Sequence, residues 1–524
     1  MKKFLKDNWI LLLIAALAVF FRYWQITSLP GGLFPDEAAN GLDVNNILKG
    51  EIQPFYERGN GREALFFYFL AAVVEFFGRG AWQHHVISAG FSVATVIATY
   101  FLAKRMFGKN VALLSSFFMA VSSYAVIVSR TAFRANTVPL MATLTLFFLV
   151  KFFQAEDKKT KYWSAAASGL FFALGFYTYI SFRMMVPLLV GFGALLFLAK
   201  RSNWKEVFRV YTKYKLVFAG AFILGISWIA NYFYQHPGSF VGRAGHVSIF
   251  NKDLNNGNIL GTFFDVFIKT MVGFFTEGDL NWRHNVSGQP FLSPYISPFF
   301  AVGLILFTIA MFVLLKQVWE QKLKAETVYM ALCGTWFWFM LAPEVTTAEG
   351  IPHGLRLIGV IPVVFIISAW GIYWVWKKLT VNHHGWPKYY FATLFLSIVA
   401  VFNFYLYFVV AAGSPEYYYS FRSDLTSVSE YLNQRNLKDR TYLSLDKFSV
   451  QTVDYLTTEK NQPFILVDPA HTYEVKLKKG DQVVFTMSTI YDRIKFTEFH
   501  PNAQLVGEYF NQFNELIMLV YEQK

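Results

Sequence analysis

The run REALFFYFLAAVVEFFGRG, residues 62–80, decides how the rest of this chain is folded. Its apolar part, Ala64–Phe77, is 14 residues long, contains Glu75 and stops at Gly78-Arg79-Gly80. A helix crossing the hydrocarbon needs roughly 20 apolar residues, so this one is short for a span. Outward from it, eleven further apolar segments occur at 9–26, 85–103, 111–129, 135–150, 163–180, 184–199, 214–234, 296–315, 326–342, 355–376 and 389–411. Whether 64–77 also crosses sets the side of every later loop.

The distribution of lysine answers the question, because cytoplasmic loops carry an excess of Lys and Arg. With 64–77 lying along the membrane surface and the N-terminus inside, one side receives Lys2/Lys3/Lys6, Lys104/Arg105/Lys109, Lys151/Lys158/Lys159/Lys161, Lys200/Arg201/Lys205/Arg209/Lys213/Lys215, Lys316/Lys322/Lys324 and Lys377/Lys378/Lys388. A crossing at 64–77 would put all the later basic loops outside. The reading is therefore eleven spans, a cytoplasmic N-terminus and an extracytoplasmic C-terminal domain. The outer segments are 27–84, 130–134, 181–183, 235–295, 343–354 and 412–524.

Composition agrees. Of 524 residues, 55% are hydrophobic and only 15% charged, against about 25% charged in a soluble domain. The last stretch, 412–524, is polar and turn-rich, so the division is 1–411 in the membrane and 412–524 as a soluble domain. The net charge of +13 belongs to topology and not to a nucleic-acid surface. Cys333 is the one cysteine, which excludes a disulfide framework. Met1–Lys6 is basic and precedes an apolar stretch, but Phe20, Phe21, Tyr23 and Trp24 are too bulky for a cleavage site. It reads as a retained anchor in the plasma or inner membrane.

The first outer loop, 27–84, carries Asp36-Glu37 after Pro35, at the start of an expected short helix, 37–48. Acids there ordinarily cap free N–H groups and complement the helix dipole. Their position within a few residues of the membrane, in a loop with Glu57, Arg58, Arg62 and Glu63, suits another use. A carboxylate so placed can take the proton of an acceptor hydroxyl as general base. Asp36, Glu37 and Glu63 are also candidate ligands for a divalent cation, since hard cations prefer oxygen.

On these residues the chain resembles the GT-C superfamily of membrane glycosyltransferases, close to glycosyltransferase family 39, which includes protein O-mannosyltransferases and the aminoarabinose transferases that modify lipid A. The resemblance is carried by Phe34-Pro35-Asp36-Glu37 and by Gly61-Arg62-Glu63-Ala64-Leu65-Phe66-Phe67-Tyr68. It extends to Ser129-Arg130-Thr131-Ala132-Phe133-Arg134 and Pro352-His353-Gly354-Leu355-Arg356. It implies a GT-C fold with about eleven helices, a polyprenyl-phosphate sugar as donor, and Asp36 as catalytic base supported by Glu37 and Glu63. The acceptor would be a protein, glycolipid or cell-wall hydroxyl. Two positions depart from the pattern: Asn136 stands where many relatives carry Asp, and Ala64 where many carry Pro. No Trp-Trp-Asp motif is present, which argues against an oligosaccharyltransferase catalytic subunit.

A lipid-phosphate donor places its phosphate at the outer interface, where the planar fork of arginine binds phosphate oxygens bidentately. Arg130, Arg134, Arg183 and Arg356 fall at outer helix ends, His353 lies one turn before Arg356, and Arg62 lies in the first loop. Arg243, Arg283 and His284 lie in the long 235–295 loop. Interfacial arginines also snorkel to headgroups, so each has a bland alternative; Arg134 and Arg356, in family-like segments, are the preferred pair. The competing function is a transporter, flippase or polymerase of lipid-linked sugars. Transport predicts charges deep in helices or broken helices, and the sequence displays few such charges. Beyond residue 417, helices near 424–435 and 449–458 and strands at 442–445, 464–467, 482–487 and 516–521 predict a small α/β sheet domain.

This topology has a direct test. Reporter fusions at Asp157 and Trp204 should behave as cytoplasmic and one at Gly257 as external; the opposite pattern would overturn it.

Overall fold

A computed structural model describes residues 2–59, 61–241, 247–379, 387–435, 440–460 and 463–524. It is helical throughout, apart from a two-strand hairpin, β1 (Phe55–Tyr56) with β2 (Arg62–Glu63), and a C-terminal sheet. The chain forms two compact units: Met1–Trp24, Gln53–Phe66 and Ile87–Val410 in one, and Gln25–Ile52, Phe67–Val86 and Ala411–Lys524 in the other. The second unit is thus not the C-terminal stretch alone, because two pieces of the first outer loop belong to it.

All eleven expected segments are helical. Among the described residues, eight helices are long and apolar enough to cross a membrane: Ala81–Phe107, Arg134–Gln154, Ile180–Leu198, Phe208–Gln235, Ser297–Glu320, Ala325–Val345, Ile358–Leu379 and Tyr390–Ala411. A ninth crossing is a pair, Lys109–Val121 and Ser123–Arg130, bent by 58°. The other two expected spans are the shorter Asn8–Tyr23 and Lys158–Gly175, whose first turn holds Lys158, Lys159 and Lys161. This is a multi-pass membrane protein. The Leu65–Phe77 helix has 13 residues, so it extends about 20 Å at 1.5 Å per residue, short of a roughly 30 Å hydrocarbon layer.

The break in the ninth crossing has a specific support. Backbone polar groups in lipid must be satisfied internally, and a bend at Ser122 frees the last carbonyls of the preceding helix. Arg22, fully buried on the first helix, donates to Ala120 O at 2.8 Å and to Met119 O at 3.0 Å. On the far side, Asn403 Oδ1 accepts the Ser123 N–H at 2.8 Å. Arg130 returns the favour. It donates to Phe21 O at 3.1 Å and Trp24 O at 2.8 Å, at the end of the first helix, and lies over the Tyr407 and Phe408 rings. The structure therefore holds more buried charge and a sharper break than the sequence suggested, and the buried arginines satisfy backbone carbonyls.

Elsewhere small residues let helix backbones meet, as is common in membranes. A Cβ added at Gly303 would overlap the Ile367 carbonyl oxygen, and one at Gly371 the Phe299 carbonyl oxygen, so each helix of that pair offers a notch to the other.

In the second unit the strands β3 (Thr441–Ser444), β4 (Ile465–Val467), β5 (Gln482–Thr486), β6 (Ala503–Phe510) and β7 (Leu516–Gln523) form one sheet in the order β4-β3-β5-β7-β6. β3 is parallel to β4 and β5, whereas β7 is antiparallel to β5 and β6. Central β5 is buried along its whole length. Val484 packs on one face with Leu425, Val428 and Val453, and Val483 and Phe485 pack on the other with Phe496. The sequence did not reveal β6 or the Arg493–Phe499 helix. β6 is an edge strand, largely exposed, so it lacks the alternation that marks a half-buried strand.

The helix-pair notch is testable by thermal melting in detergent. Gly371→Leu should destabilise by about 1–3 kcal/mol through overpacking. Gly191→Ala, at a helical glycine with nothing within 4 Å, should be neutral or stabilising by up to ~1 kcal/mol. Equal melting of the two variants would show that the helices do not meet there.

Candidate active site

Asp36 and Glu37 open the Pro35–Leu48 helix of the second unit. Glu37 is fully buried, and its Oε2 accepts the Phe34 N–H at 2.9 Å while Oε1 lies 3.8 Å from His85 Nε2. It thus closes the first turn of the helix. Asp36, one residue earlier, is only partly buried.

The helix bearing Asp36 is held by the C-terminal chain. A Cβ at Gly41 would overlap the Tyr455 ring, so the glycine is the socket for that tyrosine. Thr452 Oγ1 donates to Leu33 O at 2.9 Å, Ser423 Oγ to Pro30 O at 3.2 Å, and the Phe34 ring meets Phe448 at 5.8 Å. Arg79 ties the same helix to the domain, donating to Asn45 Oδ1 at 3.0 Å and Glu459 Oε1 at 3.1 Å.

The remaining expected residues lie in the first unit. Glu63, buried on β2, pairs with Arg134 Nε at 3.0 Å. Arg134 also donates from Nη2 to Gly61 O at 3.3 Å and lies over the Tyr179 ring at 5.1 Å, which leaves its Nη1 open. Arg62 is buried on the same strand. Nearby on the hairpin, Glu57 accepts from Ser239 Oγ at 2.6 Å and Tyr232 OH at 2.7 Å; the serine bond leads in holding its carboxyl below the usual range. Arg183 donates to Phe240 O at 2.5 Å and lies 4.2 Å from the Phe240 ring centre. Arg130 is fully buried and donates to the Phe21 and Trp24 carbonyls of the first helix. Arg243 lies outside the described residues.

Asn136 explains its own departure from the family pattern. Its amide donates to Ser88 Oγ at 2.5 Å, Val128 O at 2.5 Å and Thr131 O at 2.7 Å. An amide supplies the donor that two carbonyls need, and an ionised carboxylate, which only accepts, does not.

A second polar group, which sequence reading touched only at His353, Arg356 and loop residue His284, gathers around Asp279. Asp279 Oδ2 accepts from His284 Nδ1 at 2.8 Å and from Gly354 N at 2.7 Å. Glu344 Oε1 accepts the His353 N–H at 2.7 Å, and its Oε2 lies 4.0 Å from Arg356. Arg356 also donates to Glu349 O at 2.5 Å. Burial holds both imidazoles below the usual histidine range, more strongly at His353, where His284, Arg356 and Arg283 add to it, so both are neutral at pH 7. The two clusters share one segment: Thr131 Oγ1 donates to Arg283 O at 2.9 Å and the Phe133 ring meets His284 at 5.7 Å, one residue before Arg134.

Comparison with known proteins follows the same lines. The family model described as dolichyl-phosphate-mannose-protein mannosyltransferase matches residues 64–229. No curated protein sequence matches the chain. In fold, the chain is similar to ArnT from Cupriavidus metallidurans bound to undecaprenyl phosphate, at a TM-score of 0.58 and 12% identity, over 98% of both chains. It is also similar to the oligosaccharyltransferase of Archaeoglobus fulgidus tethered to an acceptor peptide, at a TM-score of 0.52 and 12% identity, over 100% of this chain and 75% of that one. The archaeal enzyme AglB in complex with an inhibitory peptide and a dolichol-phosphate gives 0.52 at 11% identity, over 99% and 75%. The chain has the GT-C fold.

The Arg134–Glu63 pair yields a prediction. Arg134→Ala strands a buried carboxylate and should destabilise by about 1–3 kcal/mol, whereas adding Glu63→Gln should recover part of that loss. Strictly additive melting shifts would show the two groups to be uncoupled.

Proposed function

We propose that this protein is an inverting glycosyltransferase that moves a sugar from a polyprenyl-phosphate donor to an acceptor hydroxyl at the outer face of the plasma or inner membrane. One observation carries the reading: the fold matches, end to end over 98% of both chains, that of a protein bound to undecaprenyl phosphate. The family match across 64–229 and the lysine distribution between loops support it.

In this reading Asp36 is the general base. It takes the acceptor proton as the acceptor oxygen attacks the anomeric carbon, and the glycosidic bond to phosphate breaks on the opposite face, inverting the configuration. Glu37 positions Asp36 by closing the helix turn. The departing lipid phosphate gains negative charge, which a preorganised cation stabilises most when water is excluded. Arg134 and Arg356 meet that need. Each is held in place by carboxylates and backbone carbonyls, Arg134 by Glu63 and Gly61 O and Arg356 by Glu344 and Glu349, so little side-chain entropy is lost on engaging phosphate. Arg62 on the hairpin and Arg183 contribute positive potential. The acceptor is a protein, glycolipid or cell-wall hydroxyl, and the C-terminal domain bears on its access through the helix it holds.

Purified protein incubated with a panel of polyprenyl-phosphate sugars should transfer or hydrolyse one of them. Asp36→Asn should lower kcat by about 10²–10⁴-fold, the range of general-base catalysis. Arg356→Ala should weaken donor use. Full turnover by Asp36→Asn would remove it as the base.

A further inference from the structure

We propose that Asp279, His284 and His353 form a binding site for a divalent transition-metal ion of zinc-like preference. One ligand atom from each of the three lies within 4.8 Å of the others, and they are the group of this kind among the described residues. The proposal stands apart from the glycosyl-transfer reading, since metal content is measured without turnover.

Each ligand is placed by its own backbone. Asp279 Oδ1 accepts the Asn281 N–H at 2.7 Å, and Asn281 Oδ1 accepts Arg283 N–H at 3.0 Å, so the turn that carries His284 is fixed. The Gly354 N–H on Asp279 and the His353 N–H on Glu344 fix the other strand of the site. Tyr124 OH, donating to Gly354 O at 2.5 Å, holds it from behind. The imidazoles of His284 and His353 face each other with centroids 4.4 Å apart.

Hydrogen bonding within the protein accounts for Asp279 and for His284 Nδ1. It does not account for His353, whose Nδ1 is buried with no partner. An unsatisfied buried nitrogen costs about 1–3 kcal/mol, and a ring with such a nitrogen, set within reach of a second imidazole and a carboxylate, has a metal ligand's disposition. Two histidines and one carboxylate are a recurrent zinc set that leaves a fourth position for an exchangeable ligand, and imidazole disfavours magnesium and calcium. Zinc–nitrogen bonds of about 2.0–2.1 Å need the three ligand atoms to close together, which side-chain rotation supplies.

The test uses full-length protein in detergent, stripped with chelator, reloaded with zinc and passed through a desalting column, with metal read by mass spectrometry. Wild type should retain one equivalent that His284→Ala and His353→Ala lose and that Glu63→Gln keeps. Magnesium in place of zinc should not be retained. Cobalt loading of His353→Cys should give a thiolate charge-transfer band; this arm decides if the alanine variants fail to fold. The proposal is overturned if wild type retains no zinc, if the alanine variants retain the full equivalent, or if cobalt-loaded His353→Cys shows no such band.

Discussion

The structure depends on an exchange of arginines between two membrane helices. Arg22 on the first helix satisfies the carbonyls freed where the bent 109–130 crossing breaks, and Arg130 at the end of that crossing satisfies carbonyls at the end of the first helix. No water is available in the hydrocarbon to do this, and a buried guanidinium is tolerated there because backbone oxygens surround it. The exchange locks the bend. The bend in turn delivers the 131–137 segment, in which Asn136 stitches the turn, Thr131 grips the loop at Arg283, and Arg134 meets Glu63. Removing either arginine would leave several carbonyls unsatisfied in lipid, so the polar groups downstream rest on a choice made inside the membrane.

Much of the architecture was legible in the chain. Lysine asymmetry and run length identified eleven helical segments and kept Ala64–Phe77 short of a span, because both signals are cumulative over many residues. The break at Ser122 was not legible: the sequence there, Val121-Ser122-Ser123-Tyr124, has no proline or glycine, and the carbonyl acceptance comes from Arg22, 97 residues away from Met119. The helix Ile259–Gly273 inside the long outer loop also escaped notice, since Asp265 and Lys269 interrupt its apolar run.

At the candidate site the record divides by the range of the interaction involved. Asp36, Glu63, Arg134 and Arg356 stand in local motifs, which single them out without long-range information. The backbone partners of Glu37 and Arg130 were not legible, because an acid after a proline and an arginine at a helix end look alike whether they face a ligand or the backbone. The Asp279, His284 and His353 group unites two segments 69 residues apart, 353 minus 284, with no fixed ligand spacing. The one local hint was a polar, turn-rich run, Gly278–Asn285, within an otherwise apolar context.

The grip of Thr452 on Leu33 and of Tyr455 on Gly41 bears on how the protein comes to be active during synthesis. Leu33 and Thr452 are 419 residues apart, so at ribosomal rates of about 5–20 residues per second the helix bearing Asp36 emerges on the order of a minute before its support exists. Until the C-terminal domain is made and folded, the first loop lacks the surface that holds this helix. In a nascent chain the helix bearing Asp36 would therefore stand without its support until residues 423–455 have emerged and folded.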